Sequence, residues 1–563
     1  MPKPFAIALY AFMAAFFGAF LVWPMWQVIQ GGFYDPDGFT LAYILEVFRN
    51  PIYLEGLLNA FGVAIFTTLF ALLIALPLAF MTDRYEFPLK KLFSGAVLLP
   101  IMLPPFVGAI GVKQIFGQFG AFNAFLQSVG MLGPEQAIDW IGRGQFWGVV
   151  LVSAFSLYPI LYLNAVASLA NIDPAMEEAA ENLGCRGLKR FFRITLPLMR
   201  PGLFAGCTIV FIWSFTELGV PLIFDYSRLT SVQIFYGIKD IGGNPFPYAL
   251  VTVMLFFSVL FYALGKGLFG RNTFSMMAKA SHSAEPRRPG LAGQLLCTGL
   301  FLLVTFVALL PHLGVILISF AGDWYNSIIP ESWTLRNFEL ALGHNLTVHS
   351  IQNSLFYAAV ATLLNVIIGV GIAFVVVRSR LPGRNVLDSL AMLPLAVPGL
   401  VMAFGYLAMS QEGKAFGFMN AVENPVYLLI IAYAVRKLPF VVRSAVAGLQ
   451  TTSETYEEAA QNLGATPLRA AFRITLPLIL ANLLAGALLA FSQCMLEVSD
   501  SLILAQKSHF YPITKAIYEL MQFLGDGRYI ASALGVWAMA FLAVTILAAS
   551  SLLGKKLGAI FRV

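Results

Sequence analysis

Five ionisable side chains set in long apolar runs of this sequence are the first candidates for chemistry. Glu217 and Glu497 sit well inside two such runs, Asp500 lies one turn past Glu497, and Arg436 and Lys437 stand together just before Leu438-Pro439. A charge in an apolar segment is costly and is kept where it lines a solute path or pairs internally. Both readings stay open. The cations can meet an anionic solute at a path or gate, or Arg436 can pair with Glu497 or Asp500 and fix helix packing. No catalytic constellation or metal site stands out. The cysteines Cys185, Cys207, Cys297 and Cys494 lack C-x-x-C spacing, and the five histidines show no ligand pattern. A GxxxxGK[ST] phosphate loop is absent, because neither Lys266 nor Lys555 is followed by Ser or Thr.

A second set of residues is polar and duplicated. Residues 177–197 read EEAAENLGCRGLKRFFRITLP, and residues 457–477 read EEAAQNLGATPLRAAFRITLP. Asp173 and Ser453 precede them as N-cap types. Glu177, Glu178, Glu457 and Glu458 follow in the first turns, where acids suit the helix dipole. Gly184 and Gly464 are placed to end each helix in the left-handed conformation. Thr466-Pro467 reads as the N-cap and first residue of a second short helix. Met176, Ala179, Ala180 and Leu183 are expected to share one face. Each loop thus reads as a rigid helix-turn-helix able to transmit force. An amphipathic helix resting on lipid is the plainer reading for one copy; two copies with identical spacing disfavour it.

These residues are carried by an apolar scaffold. The chain has 563 residues, 59% hydrophobic and only 11% charged, against about a quarter charged in soluble domains. Spanning helices need about 20 apolar residues. Twelve runs qualify, near 5–30, 57–82, 92–116, 145–169, 201–225, 246–268, 293–320, 353–378, 386–410, 425–448, 480–504 and 530–553. The first is too long for a signal peptide's apolar region and is read as a retained helix. The loops on one side, with the termini, hold 22 of the 35 Lys and Arg residues. That bias places both termini in the cytoplasm and explains the net charge of +6 without a nucleic-acid partner.

The chain is also a repeat. Residues 59–111 match 353–405 at an offset of 294, with Pro100 and Pro104 on Pro394 and Pro398. Farther on the offset is 280: Pro159 on Pro439, Gly184 on Gly464, Glu217 on Glu497. The first half therefore carries 14 extra residues between about 112 and 158, in an outward connection where insertions are tolerated. The expected division is 1–270 and 292–563, two six-span repeats, joined by a polar cytoplasmic linker at 271–291. The fold class is an all-α membrane protein of about twelve transmembrane helices, with two parallel repeats related by an axis along the membrane normal. Arg436 and Lys437 fall opposite Ser156 and Leu157, so this positive pair belongs to the second half alone.

The E-A-A, three residues, Gly, nine residues, I-x-L-P pattern in both loops resembles the EAA motif of binding-protein-dependent ABC importer permeases of the type I fold. As a whole the chain resembles fused ferric-iron permeases. The resemblance implies that Glu178, Ala179, Ala180 and Gly184, with the adjacent Glu177, contact one ATPase subunit. It implies the same for Glu458, Ala459, Ala460 and Gly464, with Glu457, on a second copy. It implies a periplasmic solute-binding protein as further partner and a bacterial inner-membrane location. It also implies no cofactor in this chain, with ATP and Mg held by the ATPase. Ferric iron is the implied solute. Fused permeases for thiamine or 2-aminoethylphosphonate share the architecture and stand as alternatives. A twelve-span secondary transporter is the competing class, but it has no need of paired helix-turn-helix loops. The outward loops 31–56 and 321–352, with Tyr34, Asp35, Asp37, Trp324 and Tyr325, are candidates for meeting the binding protein or the membrane interface.

Overall fold

The computed structural model describes residues 3–35, 37–133, 135–238, 244–269, 287–379, 381–395 and 397–553. Most of the linker expected at 271–291, and the tail residues Lys555, Lys556 and Arg562, lie outside them. Among the described residues nine helices are long and apolar enough to cross a membrane, and eleven if two bent pairs are each one span. The helix Val426–Thr451 also has the length, but Arg436, Lys437 and Arg443 interrupt its apolar character. It matches the helix Gln145–Ala170 in length and in an internal proline, Pro439 against Pro159. With it the twelve apolar runs are accounted for.

Several runs are broken where the residues demand it. The pair Lys90–Ile101 and Pro105–Ser128 bends by 92°, and Arg384–Leu395 and Gly399–Met409 by 100°. Proline cannot continue a helix hydrogen-bond ladder and biases the residue before it away from helical angles. Leu103 and Pro104, and Pro398 in the second copy, are accordingly extended. The helices Leu196–Phe215 and Leu476–Met495 are each entered through a five-residue π-turn, Phe191–Thr195 and Ala471–Thr475. Pro197 and Pro477 follow two residues later. Their rings would clash with the carbonyl four residues back, and the wider π-turn makes room for them.

Two compact units emerge, and they interleave along the sequence. One comprises Met1–Arg49, Ile234–Leu255 and Phe338–Val563. Its centre is a bundle of Asn345–Arg378, Val426–Thr451 and Leu476–Met495. The N-terminal helices Lys3–Phe17 and Trp23–Phe33 pack here, the latter on Gly399–Met409. The π-turn Gly18–Val22 leaves the Phe20 carbonyl to accept from the Tyr406 hydroxyl at 2.6 Å. Gly405 lets the Pro24 backbone approach.

The other unit comprises Asn50–Gln233 and Phe256–Asn337. Its bundle is Pro51–Arg84, Gln145–Ala170 and Leu196–Phe215. The helix Leu291–Phe320 packs on Pro105–Phe116. Gly111, the repeat partner of Gly405, faces the Pro311 backbone, and Gly314 faces Gly111. Each unit therefore takes its first spanning helix from the opposite half of the sequence.

The loops named as outward differ from expectation in one respect. Trp324 is 1% exposed, with its indole N–H donating to the Ser327 carbonyl, so it supports its own loop. Tyr34, in a hairpin of Tyr34–Asp35 with Gly38–Phe39, and Tyr325, stacked on Phe119, remain half exposed.

Candidate functional site

Both polar loops fold as helix-turn-helix elements with matching geometry. The first is Pro174–Asn182, capped by Asp173, whose carboxylate accepts from Ala175 N at 2.9 Å. The second is Thr455–Asn462; Ser453 Oγ accepts from Thr455 N at 3.3 Å. Gly184 and Gly464 lie at φ +80° and +88°. The next amide, Cys185 or Ala465, returns to the carbonyl of Ala180 or Ala460 at 2.9 or 3.0 Å, the six-to-one closure of a helix C-terminus. Thr466 caps the short helix Pro467–Ala470 through Arg469 N.

The face expected to carry Met176, Ala179, Ala180 and Leu183 is divided. Ala180 and Ala460 are buried, together with Glu177. Met176 is half exposed, and Ala179 and Glu178 are exposed, as are Ala459 and Glu458. Residues three and four apart do share a helix face, but only Ala180 and Glu177 point at the protein; the rest face away. Leu183 and Leu463 are 88% and 89% exposed, and Leu188, Leu468, Phe192 and Phe472 are exposed beside them. These large apolar side chains stand at matched positions of the two copies.

Glu177 has a role that its position in the first turn did not reveal. It is 4% exposed. Its carboxylate accepts from Thr195 Oγ1 at 2.7 Å and pairs with Arg84 Nη2 at 2.7 Å. The second copy repeats the arrangement: Glu457 accepts from Thr475 Oγ1 at 2.9 Å and from Arg378 Nε at 3.1 Å. Arg84 ends the helix Pro51–Arg84, Arg378 ends Asn345–Arg378, and the threonines close the π-turns. Each glutamate thus ties its loop helix to the ends of two spanning helices. Arg84 and Arg378 are repeat partners at the offset of 294, and Thr195 and Thr475 at 280; that pairing was the available signal.

Four of the five candidate charges form one network, and Glu217 stands apart from it. Arg436 pairs with Glu497 and, at 3.1 Å, with Asp500; Lys437 Nζ pairs with Glu497 at 2.7 Å. Glu497 and Asp500 are 5% and 0% exposed. Two cations and two carboxylates balance, as a buried cluster must to offset desolvation. Glu497 lies in the break between Leu476–Met495 and Ser499–Leu504, and Asp500 opens the second of these helices. A Cβ at Gly399 would meet the Arg436 guanidinium, so the glycine after Pro398 admits the arginine to the other break. The cluster therefore pins both broken spans to Val426–Thr451. Glu217, the repeat partner of Glu497, lies in the other unit, where its carboxylate accepts from Val220 N at 3.2 Å. Among the described residues no group of three or more His, Cys, Asp or Glu side chains is arranged to hold a metal ion.

Comparison with known proteins gives a consistent result. The family described as "Binding-protein-dependent transport system inner membrane component" matches twice, over residues 71–274 and 365–555. A putative ferric transport system permease protein of Haemophilus influenzae is 28% identical over 508 residues, covering 86% of this chain and 76% of its own. A ferric transport system permease protein of Actinobacillus pleuropneumoniae is 28% identical over 503 residues, covering 85% and 69%. A molybdate/tungstate transport system permease protein of Pyrococcus furiosus is 29% identical, but over 38% of this chain and 82% of its own.

Proposed function

The chain belongs to the binding-protein-dependent transport system inner membrane components, and from that premise we propose that it is the fused permease of an ATP-driven ferric-iron importer. The observation that carries the mechanism is the pair of clamped loops. Each presents an exposed leucine on a helix-turn-helix whose glutamate is tied to two spanning helices. One ATPase subunit docks on each loop. ATP and Mg are held and hydrolysed in those subunits, and closure of the ATPase pair pulls on the loops. Because each loop is tied to the ends of two helices, the pull reorients spans and does not deform a loop. Glu178, Ala179 and Gly184, with Glu458, Ala459 and Gly464, form the docking face; Glu177 and Glu457 hold it in place.

The loops lie on the cytoplasmic side of a bacterial inner membrane, with both termini, in keeping with the excess of Lys and Arg there. A periplasmic binding protein delivers the solute to the opposite face. Iron is the cargo that best accounts for the whole chain, since the named ferric permeases align across both repeats, whereas the molybdate/tungstate relative aligns over about one.

The test is uptake of radioactive iron into proteoliposomes holding this chain and its ATPase, with the binding protein outside and ATP inside. Iron entry that requires all three components is expected. Uptake of molybdate in place of iron would reject the ferric reading.

A further inference from the structure

A polar pocket lies at the end of the helix Trp23–Phe33, on the outward side in the orientation proposed above. It holds about 170 Å³ and is lined by Gln27, Gln30, Gly31, Tyr34, Tyr248 and Lys414. All six belong to the unit built from Met1–Arg49, Ile234–Leu255 and Phe338–Val563. Gln27, Gln30 and Gly31 lie on Trp23–Phe33, and Tyr34 opens the hairpin that follows. Tyr248 lies on Phe246–Phe269, and Lys414 stands in the loop after Gly399–Met409. Packing fixes the walls. Tyr248 sets its ring edge to face with Phe404, 5.1 Å between centres, and Thr252 Oγ1 donates to the Val28 carbonyl at 3.3 Å. A Cβ at Gly31 would enter the Tyr248 ring, so the glycine seats that side chain beside the pocket.

Gln27 sets this pocket apart. It is 8% exposed, yet among the described residues its side-chain amide has no hydrogen-bond partner. A buried amide left unpaired is costly, so such groups find a partner in protein, water or ligand. Helix packing does not call for it. Pro24 and Pro311 set their carbonyls against the paired glycines Gly405 and Gly111, and on that register Gln27 and Gln30 fall on Gly314 and Leu317. Lys414 is exposed at the rim and has no acidic partner among the described residues. The lining thus offers one ammonium, two amides and two phenols, all able to donate, and no carboxylate. The volume is far above the ~10–15 Å³ that a single water needs.

We propose that this pocket is a carboxylate site, in which Lys414 balances the charge and the buried Gln27 amide donates to an oxygen. One ammonium matches one carboxylate, and a hydrogen bond to a charged acceptor is the stronger kind. The group comes from a free small acid or from an Asp or Glu side chain of the protein that docks on this face, and the pocket takes the same carboxylate in both cases. The site goes beyond the proposed function and does not depend on the cargo.

The test has two arms on the purified complex of permease and ATPase. In the first, sodium acetate is titrated while the melting temperature is followed, with chloride at equal ionic strength and neutral acetamide as controls. A free acid as ligand gives a saturable rise with acetate alone, lost in Lys414→Met. In the second, the binding protein is titrated. A carboxylate from the partner gives binding that Lys414→Met weakens roughly tenfold or more and Lys414→Arg largely retains. Gln27→Glu keeps the shape of the side chain and supplies the carboxylate from within. It is expected to fold with Lys414 beside it and to abolish whichever response the wild type shows. A response that survives Lys414→Met or Gln27→Glu, or no response in either arm, would overturn the site. A wild-type complex that binds no binding protein sinks the proposed partner, and the acetate arm then decides alone.

Discussion

Removing the Glu177 charge should loosen the first loop from its two spanning helices. In Glu177→Gln the side chain keeps its shape, but the ion pair with Arg84 and the bond from Thr195 to a charged acceptor are lost. A hydrogen bond to a charged group contributes about 1.5–3 kcal/mol. Both partners are well shielded, with side-chain exposures of 16% for Arg84 and 5% for Glu177. The loss is therefore about 2–3 kcal/mol, toward the upper part of that range. At 1.4 kcal/mol per tenfold, the docked loop loses roughly 30- to 140-fold against its undocked forms. Binding of the purified ATPase to the detergent-solubilised permease should weaken accordingly, and amides of residues 174–190 should exchange faster with solvent. Arg84→Gln should give a similar loss, and the double variant should be little worse than either single one. Glu457→Gln should cost less, since its side chain is 17% exposed and Arg378 also bonds the Thr452 carbonyl. Strictly additive losses from Glu177→Gln and Arg84→Gln would refute the clamp, because independent sites add and coupled ones do not.

Three further outcomes follow from the same geometry. Leu183→Ser with Leu463→Ser should abolish ATPase binding without altering thermal stability of the permease alone, as both side chains are almost fully exposed; retained binding would show that the loops dock by another face. Arg436→Met leaves Asp500 buried without its cation while Glu497 keeps Lys437, at a cost of about 3–5 kcal/mol. Its melting temperature should fall, and adding Asp500→Asn should restore most of it. Gly111→Val places a side chain against the Pro311 backbone and should eliminate folded protein on size exclusion, whereas Gly299→Ala, in open space on the Leu291–Phe320 helix, should be tolerated.

Much of this architecture is legible in the residues. Apolar runs, paired prolines and the two polar loops give the spans, the breaks and the helix-turn-helix elements, because each depends on local backbone chemistry. Gly184 and Gly464 adopt the conformation that only their type adopts readily. What stays hidden depends on contacts far apart in sequence. The interleaving of the first helices cannot be read from a repeat, which specifies similarity and not partners. Glu177 reads as a dipole-compensating acid until Arg84 and Thr195 are seen against it. Arg436 has two readings until Glu497 and Asp500 surround it.

The central claim is that this chain moves solute with energy taken from ATPase subunits docked on its two loops. The direct measurement is native mass spectrometry of the purified complex, joined to uptake by the same preparation in proteoliposomes. One permease carrying two ATPase subunits is expected, with uptake that needs internal ATP and survives dissipation of ion gradients. A permease that purifies without an ATPase and drives uptake from an ion gradient alone would contradict the account.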